Sequence, residues 1–94
     1  MPAKHALVAT ADASRYLKRL CRHFSHKVDV TWGDHQGDVA FAMGQCRLEA
    51  RDEGLSIHCQ AGDEAALEQV GQIVAVHLEG FARNETLTVV WTAA

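Results

Sequence analysis

The sequence predicts an α+β domain: a two-layer sandwich in the order β-α-β-β-β-β-α-β, with two helices on one face of a mostly antiparallel sheet. Three observations predict it. Two segments repeat their apolar residues with a helical period. Between them, several short segments alternate apolar and polar residues with period two. The apolar set of each main segment falls on one side only. One-sided strands and amphipathic helices bury those sides against each other, which gives two layers.

The elements follow in order. His5 to Ala9 is a short extended opening. Thr10 or Asp12 offers an N-cap oxygen, and the helix RYLKRLCRHFSHK follows. Tyr16, Leu17, Leu20, Cys21 and Phe24 make its apolar stripe, with Arg15, Lys18, Arg19 and Arg22 opposite. Then Val28, Val30 and Trp32 alternate with Asp29 and Thr31, and Val39, Phe41 and Met43 with Asp38, Ala40 and Ala42.

Gly44-Gln45 suits a two-residue turn, which would set Phe41 opposite Leu48 and Asp38 opposite Arg51. Cys46, Leu48 and Ala50 continue the pattern. A turn at Glu53-Gly54 would set Leu48 opposite Cys59, and a four-residue loop would set Cys46 opposite Cys59. Leu55, Ile57 and Cys59 complete the inner set. Gly62-Asp63 caps a second helix whose inner stripe runs Ala66, Leu67, Val70, Ile73, Val74, His77, Leu78 and Phe81. A last strand turns Leu87, Val89 and Trp91 inward. Trp32 and Trp91 are expected to seal the core edges.

Size and composition bound the rest. The 94 residues, 48% of them apolar with one proline, read as a single domain over 1–94. The N-terminal stretch lacks the long apolar run of a signal peptide, and no run approaches the ~20 apolar residues that span a bilayer. The expected location is therefore cytoplasmic, with no membrane partner. Cys21, Cys46 and Cys59 are odd in number and form no C-x-x-C pair, so they read as reduced core residues.

Net charge is −3, unevenly spread: residues 1–27 carry six basic groups against Asp12, and the remainder three basic against eleven acidic. A basic first helix could steer an anionic partner. Its aromatics face the core and the whole chain is acidic, which argues against nucleic acid. The outer sheet face, with Asp38, Arg47, Glu49, Arg51, Ser56 and His58, reads first as an ordinary solvated sheet of opposite-charge neighbours, and second as a surface for a homodimer or other partner.

Six histidines supply the candidate chemistry. His77 interrupts an apolar stripe, either as a core histidine bonded to a backbone carbonyl or as a ligand or acid/base group facing a pocket. His23 and His26 are one helical turn apart, but Cys21 lies on the opposite side of that helix. Zinc would need three or four ligands. The ligand-binding candidates are therefore His23, His26 and His77, with Arg83 and Glu85 at the last helix-strand junction. His5, His35 and His58 read as surface groups. P-loop, G-x-G-x-x-G, G-x-S-x-G and H-E-x-x-H motifs do not occur. No metal or cofactor is named by any pattern, and an enzymatic role is not the leading expectation.

At RYLKRLCRHFSHKV, GQCRLEA and HLEGFARNETLTVVW the chain resembles a small bacterial family known as domain of unknown function 2218, over nearly its whole length. Members of that family are stand-alone proteins or domains attached to siderophore-interacting flavoproteins. The resemblance implies a non-enzymatic accessory or ligand-binding domain in iron or siderophore handling, with a flavoprotein or siderophore-related partner. The alternatives are a small enzyme or metal- or haem-binding protein using His23, His26 and His77, and a protein-interaction module. The element order also resembles the TATA-binding-protein-like fold, which serves as the C-terminal domain of phosphohexomutases; that analogy concerns fold alone.

Overall fold

The computed structural model describes residues 2–82 and 85–93. The elements run β1 (Ala3–Val8), α1 (Ala13–Phe24), β2 (Asp29–Trp32), β3 (Gln36–Phe41), β4 (Gly44–Arg51), β5 (Gly54–Ala61), α2 (Glu64–Phe81) and β6 (Thr92–Ala93). This is the expected order. One sheet holds all six strands as β2-β3-β4-β5-β1-β6, and every pairing in it is antiparallel.

Both helices pack on the same face. Val39, Cys46, Leu48, Leu55, Ile57 and Cys59 of the sheet share one buried cluster with Leu17, Leu20 and Phe24 of α1 and Leu67, Val70, Val74 and Leu78 of α2. The fully buried members include Leu20, Leu48, Ile57 and Val74, so the greasy sides of helices and middle strands converge as the periodicities require. Among the described residues no helix covers the other sheet face.

The helix ends show what the sequence could and could not place. Asp63 Oδ1 accepts from the Ala66 N–H at 2.7 Å, an N-cap that starts α2 where expected. At α1 neither expected oxygen caps the helix: Asp12 makes no side-chain cap bond, and Thr10 Oγ1 instead accepts from the Asp12 N–H at 3.1 Å. α1 also ends at Phe24, three residues early, as Ser25 to Lys27 tighten into a turn.

Two turns lie elsewhere than the glycines suggested. The β3–β4 turn is Ala42-Met43, with Phe41 opposite Gly44. Gly44 is a strand residue: a Cβ there would collide with the Gln60 carbonyl oxygen and lie 3.0 Å from Ala61 Cβ and 3.1 Å from Val70 Cγ2. Its glycine serves close approach to β5 and α2, not a turn. The register therefore sets Asp38 opposite Arg47, not Arg51, and Val39 opposite Cys46. Because the displacement is an even number of residues, the inner set stays inner. The β4–β5 turn is Asp52-Glu53, with Cys46 opposite Cys59. That pairing needs only two loop residues, since Gly54, at φ 152°, begins β5 beside the Val8 carbonyl.

The last strand is shorter than expected. Among the described residues of that strand, only Thr92 and Ala93 pair with β1. Leu87, Val89 and Trp91 nevertheless turn toward the core, while Val90 is 69% exposed. Packing of alternate side chains, not ladder bonds, holds that segment. Trp91 also takes the Lys4 ammonium over its ring, 4.6 Å from the centroid. Trp32 seals less than expected, being 41% exposed on the edge strand.

Candidate functional site: the cationic groove and the histidine pair

α1 buries Tyr16, Leu17, Leu20, Cys21 and Phe24. The helical period then forces Arg15, Lys18, Arg19 and Arg22 onto the outer side. These four cations, with Asp12, His23, His26 and Phe81, line a solvent-open groove of about 800 Å³. Lys18 is paired to Asp34 at 3.1 Å. Arg19 stacks over the Phe81 ring, its guanidinium carbon 4.5 Å from the centroid, and so joins α1 to the last turn of α2.

At this junction the C-terminal halves of the helices bring two candidates together. The rings of His23 and His77 lie 4.8 Å apart, tilted by 43°. Phe24 stands edge-on to both, at 5.7 Å from His23 and 5.2 Å from His77, and Phe81 lies 5.6 Å from His23. Phe41 backs Phe24 from the sheet at 5.2 Å. His77 Nδ1 lies 2.7 Å from the Ile73 carbonyl oxygen, one turn back on α2. This is the backbone-satisfied arrangement considered for His77, and it leaves the other ring nitrogen outside that bond. His77 lines a separate, largely apolar hollow with Met43, Ile73 and Val76. Burial, then the neighbouring His77, Lys27 and His26, push the His23 pKa below its ordinary value.

The remaining candidates divide. His26 lies past the end of α1, exposed, and lines the groove with His23. Glu85 belongs to another network: its Oε2 accepts from Tyr16 Oη at 2.9 Å and from Thr10 Oγ1 at 3.2 Å. Tyr16 precedes His23 by seven residues, about 10 Å along the helix. Burial, then the hydrogen bond to Glu85, raises the Tyr16 pKa. Arg83 lies outside the described residues. Among the described residues, no three side chains of metal-ligating type converge.

The thiols are buried and free. Cys21 sits in the core away from His23 as the helical wheel requires, and burial, with Asp38 adding to it, pushes its thiol up to about 11. Cys46 and Cys59 face each other across β4 and β5. The hydrogen bond between them, and then burial, hold Cys46 well above the ordinary thiol range. The same bond lowers Cys59, against burial and with help from Lys4.

Sequence reasoning missed two contacts. Arg19 and His23 are four apart on the outer side of α1, and Phe81 ends the α2 stripe; that spacing was the available signal for the stack. His5 and His58, read separately as surface groups, are direct cross-strand neighbours on the open sheet face. Only the register reveals that pair.

The comparisons bear on the whole chain. No curated protein matches it. Among solved structures it is similar to the NMR structure of PA4090 from Pseudomonas aeruginosa, at 32% identity and a TM-score of 0.82 over 98% of this chain and 96% of that one. Residues 5–92, which include both helices and the α1 groove, match the family described as uncharacterized protein conserved in bacteria (DUF2218). With nearly the full length matched, the chain belongs to the DUF2218 family.

Proposed function

We propose that this protein is a non-enzymatic, cytoplasmic ligand-binding domain whose α1 groove takes a compact anionic ligand, and that ferric siderophores of net negative charge are the ligand class. The observation that carries the reading is the groove itself. Four cations from one helix, with an aromatic ring at one end, surround about 800 Å³, within the ~300–1,000 Å³ common for small-molecule sites. Guanidinium groups recognise anionic oxygens, and the Arg19–Phe81 stack presents a flat cationic surface suited to an aromatic chelator. The iron connection comes from the resemblance, which also makes a flavoprotein the partner class to try first. Among the described residues no helix is long and apolar enough to cross a membrane, which fits an activity away from the bilayer.

The test is a titration with a trianionic ferric tris-catecholate and, beside it, a neutral ferric trihydroxamate. The catecholate complex should bind, more weakly as salt screens the groove. Replacing Arg15 and Arg22 together by alanine should cost about tenfold in affinity, or about 1.4 kcal/mol. Absence of binding to iron, haem and both ferric complexes would sink the reading.

A small enzyme using the histidines has the approach of His23 to His77 in its favour, but the two line different hollows, His23 the α1 groove and His77 the apolar one, which counts against a shared site. An interaction module would use the open sheet face, as a homodimer or with another protein; light scattering that returns a strict monomer removes the homodimer.

A further inference from the structure

His23 and His77 come from different helices, yet their rings are set as a pair. A carbonyl oxygen only accepts, so the 2.7 Å contact from His77 Nδ1 to Ile73 O puts the proton of the neutral ring on Nδ1. Nε2 then carries the free lone pair. The same device orients histidines at metal sites, where one ring nitrogen donates to a carbonyl and the other meets the ion.

The spacing fits as well. A metal–nitrogen bond of about 2.1 Å plus a ring radius of about 1.1 Å puts each ring centroid about 3.2 Å from an ion. Two imidazoles on adjacent coordination positions therefore have centroids about 4.5–5 Å apart, and these two stand at 4.8 Å.

We infer that His23 and His77 form a two-nitrogen site for a transition-metal ion that arrives inside an anionic chelate with two adjacent positions open. Charge selects this form of the metal. Arg19, Arg22 and Lys27 lie on or just beyond the same helix, with Arg19 stacked on the Phe81 that also touches His23. Such surroundings repel a bare dication and attract a complex of net negative charge. Two nitrogens do not fill a coordination sphere, so the other positions belong to the chelator. The inference deepens the groove reading and takes its charge from it, but its two nitrogens stand independently.

Ni²⁺–nitrilotriacetate is the probe, because its tetradentate anion leaves two adjacent positions open. On titration into the full chain, the paramagnetic ion should broaden the ring NMR signals of His23 and His77 before those of His5, His35 and His58. His23→Gln, at an exposed position, should lower affinity at least tenfold, and added salt should weaken binding. His77→Gln should do the same, with its amide spectrum showing that it is folded. Equal affinity in wild type and His23→Gln, or broadening that begins at His5 and His58, would overturn the inference. A ferric tris-catecholate has no open position, so its binding should survive His23→Gln. Failure of the metal pair and failure of the groove are thereby read separately.

Discussion

The outer side of α1 and the open face of the sheet carry the same residue types, arginines and histidines, to opposite effect. On the sheet, unlike charges lie side by side: the antiparallel register brings Arg47 Nε to Asp38 Oδ1 at 3.1 Å, and the two-residue period within β4 brings Arg51 to Glu49 at 3.6 Å. On α1 the helical period stacks Arg15, Lys18, Arg19 and Arg22 along one side, and Lys18 takes an acidic partner from the loop after β2. A sheet pairs its charges with neighbours across the ladder or two residues along the same strand. A helix repeats its own, and a surplus survives wherever the neighbouring element brings an aromatic ring in place of a carboxylate. Phe81 is that ring. That surplus is what the proposed anion site on α1 rests on.

The most damaging way to break the comparison is to remove what separates the two sides. Leu48 is fully buried between sheet and helices. Leu48→Ala should cost about 3 kcal/mol through lost transfer energy and a residual cavity, seen as a lower urea midpoint. A loss below about 1 kcal/mol would mean that the layers do not pack on this residue. Next comes Glu85, which ties the segment after α2 to the start of α1. Glu85→Gln exchanges two charge-assisted bonds for neutral ones and should cost about 1 kcal/mol. The groove cations should keep their ligand affinity in that variant, because Glu85 lies outside the groove.

How much of this was legible depends on which physical rule wrote it. Periodicity wrote the layers: Leu20, Val74 and Ile57 are inside because spacings of 3.6 and 2 leave them nowhere else to go. The turns were legible only in part, since a glycine signals either a turn or a close approach. Gly44 is the second kind, and the difference depends on Gln60 and Val70, which lie far along the chain. The site was half legible. His77 stood out as a polar residue on an apolar stripe, but its nearness to His23 depends on how α1 and α2 pack. Glu85 stood out at the junction after α2, but its bonds to Thr10 and Tyr16 were not legible, because those residues are distant in sequence and close in space.

A smaller effect sharpens the comparison from the helix side. The folded pKa of His23 is lowered, so the folded state binds fewer protons than the unfolded one just below the ordinary histidine value of about 6.5. Stability from this group is complete above that value and declines as pH falls through the lowered folded pKa. His23 is exposed, so the slope should be shallow. Between about pH 7 and pH 5, His23→Gln should lose less stability than wild type, as paired urea curves would show. An anion in the groove should reverse the sign by favouring imidazolium, so the NMR titration midpoint of His23 should rise when a saturated anionic ligand is added. A midpoint that stays put would mean that the anion sits too far from His23 to share the groove.

The smallest expected effect is the most direct comparison of the two arginine sets. Arg47 is fully exposed and held by one ion pair, a contact that solvent and salt screen heavily. Arg47→Ala should leave the urea midpoint unchanged within error. Arg22→Ala, on the groove, should leave it unchanged too, because Arg22 is exposed and the buried stripe of α1 does not include it. The two variants are therefore matched in stability and differ only in which side loses a cation. If anionic ligands bind through α1, affinity falls with Arg22→Ala and holds with Arg47→Ala. If the order is inverted, the sheet's matched charges are the recognition surface, and the surplus on α1 is only the solvated side of a helix. Affinity, with stability held equal, separates a charge that is merely present from one that is available.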